Sequence, residues 1–252
     1  MNTAPTALIT GSNRGLGQAI AHALARTGHR LVLAHRPGRD ISETMRRVEE
    51  AGGEAMPLTI DIADLDGIRH LRAGLEAALR DRWGSAHLDV LVHNAGIGVF
   101  GSLEDATPED FEALIGTNLR GTVFLTQALL PLLEGGGHVI AISTSLTRHV
   151  SPATSLYAAS KAAVEAFSRS LAGELGPRGI RVNCIAPGPS ATDFNSGAMR
   201  DSEELRSAIA RSTALGRVAD PAEIGEAVAA LAAPGMRWVT GERLEVSGGA
   251  FL

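Results

Sequence analysis

Short apolar runs alternate along the chain with stretches where apolar residues recur every three or four positions. Residues 7–10 (ALIT) predict a buried strand, and residues 15–26 a helix with Leu16, Ile20 and Leu24 on one face. Gly28 stands where that helix must stop. Residues 31–35 predict a second strand, 41–51 a second helix, 56–60 a third strand and 68–79 a third helix. Strands follow at 88–93 and 138–143, with helices between them at 108–115 and 121–133. Thr107 is placed to cap the first of these helices, ahead of Pro108, with Asp110 in its first turn. Residues 155–175 carry Val164, Phe167, Leu171 and Leu175 on one stripe. Residues 180–186 predict a sixth strand and 188–203 a loop. A helix at 223–232 is opened by Asp220, Pro221 and Glu223 in a capping-box arrangement, and 244–246 predict a last strand.

This alternation predicts an α/β fold: one doubly wound domain over residues 1–252, about seven parallel strands with helices on both faces. Net charge is −5, with no basic stripe, which argues against nucleic acid and anionic membrane as partners. The single cysteine, Cys184, falls in a predicted strand and excludes a disulfide framework. Eight scattered histidines form no metal motif. No apolar run approaches a membrane span, and the first strand begins too early for a signal peptide, so a soluble cytoplasmic protein is expected.

Candidate chemistry begins in the turn after the first strand. Gly11, Gly15 and Gly17 punctuate TGSNRGLG (10–17), with Asn13, Arg14 and Leu16 between them. Such a turn lets backbone N–H groups and a helix N-terminus approach a pyrophosphate. The second strand ends in His35-Arg36, where an acidic residue would select NAD(H). Arg14, His35 and Arg36 instead suit a 2′-phosphate, so NADP(H) is expected ahead of NAD(H).

The chain contains one tyrosine and, among 23 Lys and Arg, one lysine. They stand four residues apart as Tyr157 and Lys161, on one face of a predicted helix. A free phenol has a pKa of about 10, too high for efficient acid–base exchange near neutrality. An ammonium beside it is expected to lower that value. Lysine offers a compact charge that arginine's planar fork does not copy.

With these motifs goes an ordered set of others: DI (61–62), HNAG (93–96), TNLRG (117–121), ISTS (142–145), RVNCIAPG (181–188) and SGG (247–249). Along nearly its whole length the chain resembles the short-chain dehydrogenase/reductase family, nearest to the subgroup of 3-oxoacyl-carrier-protein reductases and NADP-dependent carbonyl reductases. The resemblance implies hydride transfer between a nicotinamide and a carbonyl or secondary alcohol, with Tyr157 as proton donor or acceptor. It implies that Lys161 lowers the Tyr157 pKa and holds the nicotinamide ribose. It also implies that Asn118 holds a water linking Lys161 to solvent.

Further cofactor contacts are implied at Asp61 and Ile62, at Asn94, Ala95 and Gly96, and at Pro187, Gly188 and Thr192. The family's substrate-orienting serine falls here on Thr144, and a one-residue shift would bring in Ser145; both stand as candidates. His93, in place of the usual asparagine, is expected to pack, and Ser247 to bear on a subunit contact. Substrate choice is expected to rest on 146–156 and on a lid at 189–217 that includes Ser190, Asp193, Phe194, Asn195, Ser196, Gly197, Met199, Arg200 and Asp201, with Phe100, Leu146, His149 and Val150 nearby. The resemblance implies a homo-oligomer, a dimer or homotetramer, through helices at 111–133 and 157–175 and the tail at 243–252. A non-catalytic nucleotide-binding sensor is the competing reading; the complete Tyr157–Lys161–Asn118 set argues against it.

Overall fold

Leu8 faces one way from the first strand, while Ala7 and Ile9 face the other. The same division recurs at Val32 against Leu31 and Leu33, and at Leu91 against Val90 and Val92. Both faces of every central strand are therefore buried, which is why these strands read as unbroken apolar runs. The computed structural model describes residues 4–192 and 194–252. Asp193 lies outside the described residues, as do the side chains of Asn195, Ser196 and Met199, so the lid expectations placed on them do too.

The chain alternates β1 (Thr6–Thr10), α1 (Gly15–Arg26), β2 (Arg30–His35), α2 (Ser42–Glu50), β3 (Ala55–Thr59), α3 (Leu65–Trp83) and β4 (Val90–His93). It continues through α4 (Pro108–Leu114), a π-helical turn (Ile115–Gly121), α5 (Thr122–Leu133), β5 (His138–Ile142), α6 (Ser155–Leu175) and β6 (Arg181–Pro187). Last come α7 (Ala198–Asp201), α8 (Glu203–Ala210), α9 (Pro221–Ala232) and β7 (Arg243–Val246). All strand pairs are parallel, in the order β3-β2-β1-β4-β5-β6-β7. One core layer draws on α3, α5 and α6, the other on α1, α2 and α9. Pro57 is tolerated because β3 lies at the sheet edge.

The expected caps form: Thr107 with Asp110, and Asp220 with Glu223, each make a reciprocal capping box. One expectation needs correction. The segment expected to be loop to residue 203 contains α7, and α8 follows at once, capped by Ser202, whose hydroxyl accepts from the Leu205 amide. The stretch from 115 to 121, between two expected helices, is a π-helix. Ser247 is buried, its hydroxyl accepting from the Ala250 amide. No helix among the described residues is long and apolar enough to cross a membrane.

The strand order reverses between β1 and β4. In a doubly wound sheet the crevice for a ligand opens there, beyond the carboxyl ends of the strands. The turns after β1, β2, β4, β5 and β6 all converge on that crevice.

Candidate active site

A cleft of about 510 Å³ lies at this point. Its walls include Gly11, Asn13, Arg14, Gly15, Leu16, Gly17, His35, Arg36, Asp61, Ile62, Asn94, Ala95, Gly96, Pro187, Gly188 and Thr192. Thr144, Ser145, Tyr157 and Lys161 line it as well. Asn118 does not; it lies behind the wall. Of the expected substrate contacts, Phe100, Leu146, Ser190 and Phe194 line the cleft. Val150 is instead 93% exposed, and His149 packs against the ring of Phe251 at 5.6 Å. Leu205, Ile209 and Phe251 join the lining; the first two lie within the expected lid at 189–217 without having been singled out, and Phe251 lies in the tail expected at a subunit contact.

The glycine turn is held from both sides. The Asn94 side-chain amide donates to Thr10 O at 2.9 Å and to Gly11 O at 3.1 Å. The Thr10 hydroxyl accepts from the Asn94 and Ala95 amides. Gly11 sits at φ +64°, and a Cβ on Gly17 would stand 2.1 Å from Gly11 O. Only glycine allows the turn to close this tightly against the first turn of α1. The α1 N-terminus, with no acidic residue in its first turn, therefore opens onto the cleft. Arg14 and Arg36 are exposed on its rim and form no ion pair with any described residue.

Burial dominates the catalytic end. Tyr157 and Lys161 are 7% and 5% exposed. Lys161 Nζ donates to Ile142 O at 2.8 Å. A Cβ on Gly96 would lie 3.1 Å from both Lys161 Nζ and Asn118 Oδ1, so the glycine leaves room at the ammonium. Asn118 is fully engaged: Oδ1 accepts from the Ile97 amide, while Nδ2 donates to Ile97 O and Ser160 Oγ. The expected lowering of the phenol by the ammonium is corrected here. Burial pushes the Tyr157 phenol up to about 12, and the neighbouring Thr144 side chain opposes the shift. Burial also pulls Lys161 down to about 8. In a dry site each group resists its charged form.

Thr144 and Ser145 both line the wall beside Tyr157, and both are buried. The Thr144 hydroxyl accepts from the Leu146 amide, and its side chain is the one that acts on the Tyr157 phenol. On the open side of Tyr157 stand two aromatic rings, Phe100 at 5.3 Å and Phe194 at 5.8 Å. They give the cleft an apolar mouth over a polar floor.

A family model described as enoyl-(acyl carrier protein) reductase matches residues 11–250. The chain belongs to the short-chain dehydrogenase/reductase family. It is an oxidoreductase of that family. A hydroxynaphthalene reductase-like protein, Arp2, of Metarhizium brunneum is 36% identical over 97% of this chain and 94% of its own length. The versicolorin reductase stcU of Emericella nidulans is 32% identical over 97% of this chain and 95% of its own. The solved structure of the angucycline C-6 ketoreductase LanV with bound NADP superimposes with a TM-score of 0.91 at 35% identity. It covers 98% of this chain and 95% of LanV.

His93 packs, as expected. The Thr126 hydroxyl donates to Thr122 O, and so accepts from His93 Nε2 at 2.7 Å. Nδ1 is left as a buried acceptor without a partner. Burial, then the Lys161 charge, holds the imidazole pKa down to about 3 from 6.5. Burial and Arg181 hold His138 down to about 3 as well. Between those values the unfolded chain binds protons that the folded chain refuses. Stability therefore falls as pH drops through this window, by about 1.4 kcal/mol per pH unit for each histidine. His93→Leu is expected to lessen that slope by about one proton between roughly pH 6 and pH 4, read by urea unfolding. An unchanged slope would show that His93 is not held neutral.

Proposed function

We propose that this oxidoreductase is an NADP(H)-dependent ketoreductase for flat aromatic carbonyl compounds, with Tyr157 as proton donor. The observation that carries the reading is the buried Tyr157 phenol, which shares the cleft wall with Thr144 and lies against the rings of Phe100 and Phe194. Aromatic rings of this kind favour offset stacking and edge contacts with a planar substrate. The names of the similar proteins, a hydroxynaphthalene reductase-like protein, a versicolorin reductase and an angucycline ketoreductase, support this substrate class.

The residues present fit the cofactor. Gly11, Asn13, Gly15, Leu16 and Gly17 present the open α1 N-terminus to a pyrophosphate. Arg14, His35 and Arg36 take the 2′-phosphate. Asp61 and Ile62 hold the adenine, and Asn94, Ala95 and Gly96 the neighbouring ribose. Pro187, Gly188 and Thr192 take the carboxamide. Lys161 holds the nicotinamide ribose, with the room that Gly96 leaves at its ammonium. Bound there, the reduced nicotinamide supplies hydride to a carbonyl carbon.

Thr144 and Tyr157 aim their hydroxyls at the carbonyl oxygen, where charge develops. The high phenol pKa keeps the proton on Tyr157 until that oxygen demands it. Lys161 stands ready to replace the proton from solvent, with Asn118 bracing the Gly96–Ile97 turn beside it. Residues 189–217 act as the lid, with Leu205 and Ile209 of α8 facing the cleft.

Tyr157→Phe is expected to abolish NADPH oxidation with benzo-fused or aryl ketones such as 2-tetralone and 1-tetralone, while NADPH affinity stays within about threefold. Thr144→Val is expected to cost about 10²-fold in kcat and Ser145→Ala under tenfold. Robust turnover by Tyr157→Phe would reject the mechanism. Faster turnover of 3-oxoacyl thioesters than of aryl ketones would reject the substrate class.

Arg36→Ala removes a charge-assisted contact and is expected to weaken NADPH binding by about tenfold to a hundredfold, with NADH little changed. Cofactor fluorescence titration reads both affinities, and tighter NADH binding by the unaltered protein would reverse the preference. We further propose a cytoplasmic homo-oligomer, supported by the exposed Phe111 of α4 and Phe124 of α5. Light scattering is expected to give a dimer or tetramer, and a monomer at micromolar concentration would exclude it.

A further inference from the structure

Glu165 extends the catalytic stripe of α6 by one more turn, four residues past Lys161 and eight past Tyr157. Its side chain is 14% exposed. Oε1 accepts from Ser143 Oγ at 2.5 Å, from Thr147 Oγ1 at 2.8 Å and from Arg243 Nε at 2.7 Å. Ser143 and Thr147 flank Thr144, one on each side. Arg243 arrives from β7 with its side chain 9% exposed. Its Nη2 donates to the carbonyl oxygen of Thr144 itself at 3.1 Å and to Thr147 Oγ1 at 3.0 Å. Glu245 pairs with Nη1 of the same guanidinium.

The backbone that carries Thr144 is thus tied on both sides to α6. Ile142, two residues earlier, is tied there too, by Lys161. None of these bonds is needed to close the sheet, whose β5–β6 and β6–β7 ladders are complete without them. A buried carboxylate and guanidinium repay their desolvation poorly as stability, and are better explained by the geometry they impose.

We propose that Glu165 and Arg243 are positioning residues that clamp the Thr144 turn onto α6 and so set the Thr144 hydroxyl against Tyr157. The inference rests on the reading of Thr144 and Tyr157 as the hydroxyl pair that meets the carbonyl. Neither Glu165 nor Arg243 lines the cleft. Their influence therefore falls on kcat, through a displaced hydroxyl, rather than on cofactor binding.

The single tyrosine makes a direct readout possible. Protein labelled with 13C at the tyrosine ζ carbon gives one such resonance, which responds to the hydrogen bond on the phenol. Glu165→Ala and Arg243→Gln are each expected to move it in the direction that Thr144→Val moves it, and by at least half as far. With 2-tetralone each is expected to lower kcat about tenfold or more, while KM and NADPH affinity change less than about threefold. In a Thr144→Val background the same replacements are expected to cost under about threefold, because the hydroxyl they place is gone. Arg243→Gln leaves the Glu165 bonds to Ser143 and Thr147 in place, and carries the test if Glu165→Ala does not fold.

An unmoved resonance, or an equal loss of kcat in both backgrounds, would overturn the clamp. If Thr144→Val itself leaves kcat intact, the reading of the hydroxyl pair fails instead. The resonance still decides whether the clamp exists.

Discussion

Removal of a phenol and an ammonium from water, one helical turn apart, is the constraint to which the rest of the site answers. Desolvation opposes both phenolate and ammonium. Lys161 finds its partner in the Ile142 carbonyl, and the Thr144 side chain opposes the shift of Tyr157. Both neighbours come from the end of β5, so α6 and β5 must meet in one register. A protonated phenol is also the form that a proton donor must hold before reaction. Burial thus serves the reductive direction even as it works against the simple picture of an ammonium acidifying a tyrosine.

The same logic reaches the neighbours that sequence comparison treats as minor. His93 stands within the electrostatic reach of Lys161 and stays neutral, so it adds no second charge to the site. The π-helical turn at Ile115–Gly121 brings Asn118 to Ile97 and Ser160, bracing the strand-end turn that contains Gly96 against α6. Such insertions in helices recur at functional positions because they redirect one side chain at small cost.

On the other side of the cleft the requirement is close approach rather than burial. Gly11 and Gly17 let the first turn of α1 close onto the end of β1, and Asn94 ties that turn to β4. The reversal of strand order between β1 and β4 opens the space that this turn borders. Glycine turn, aromatic mouth and buried hydroxyl pair therefore share one crevice, although they lie far apart along the chain.

The periodicity of apolar residues was enough to predict the alternating strands and helices, because strands buried on both faces and helices buried on one leave different local patterns. Both N-caps and the Asp220–Glu223 capping box were legible for the same reason, being made within four residues, whereas the reciprocal bond of Asp110 to Thr107 came from the structure. The pairing of Tyr157 with Lys161 was legible as a spacing, and so was the glycine turn. Quantities that depend on residues distant in sequence could not be read this way. The tie of Arg243 from β7 to the Thr144 carbonyl and to Glu165 of α6 joins residues about eighty to a hundred positions apart, which no local pattern encodes. The sign of the Tyr157 shift depends on how much water the folded chain excludes, which spacing does not encode. The helix α8, short and polar-faced, gave too weak a periodic signal against a loop-like composition. Local pattern determined the elements and the kinds of chemistry available; long-range packing decided which groups touch, and how strongly burial acts on each.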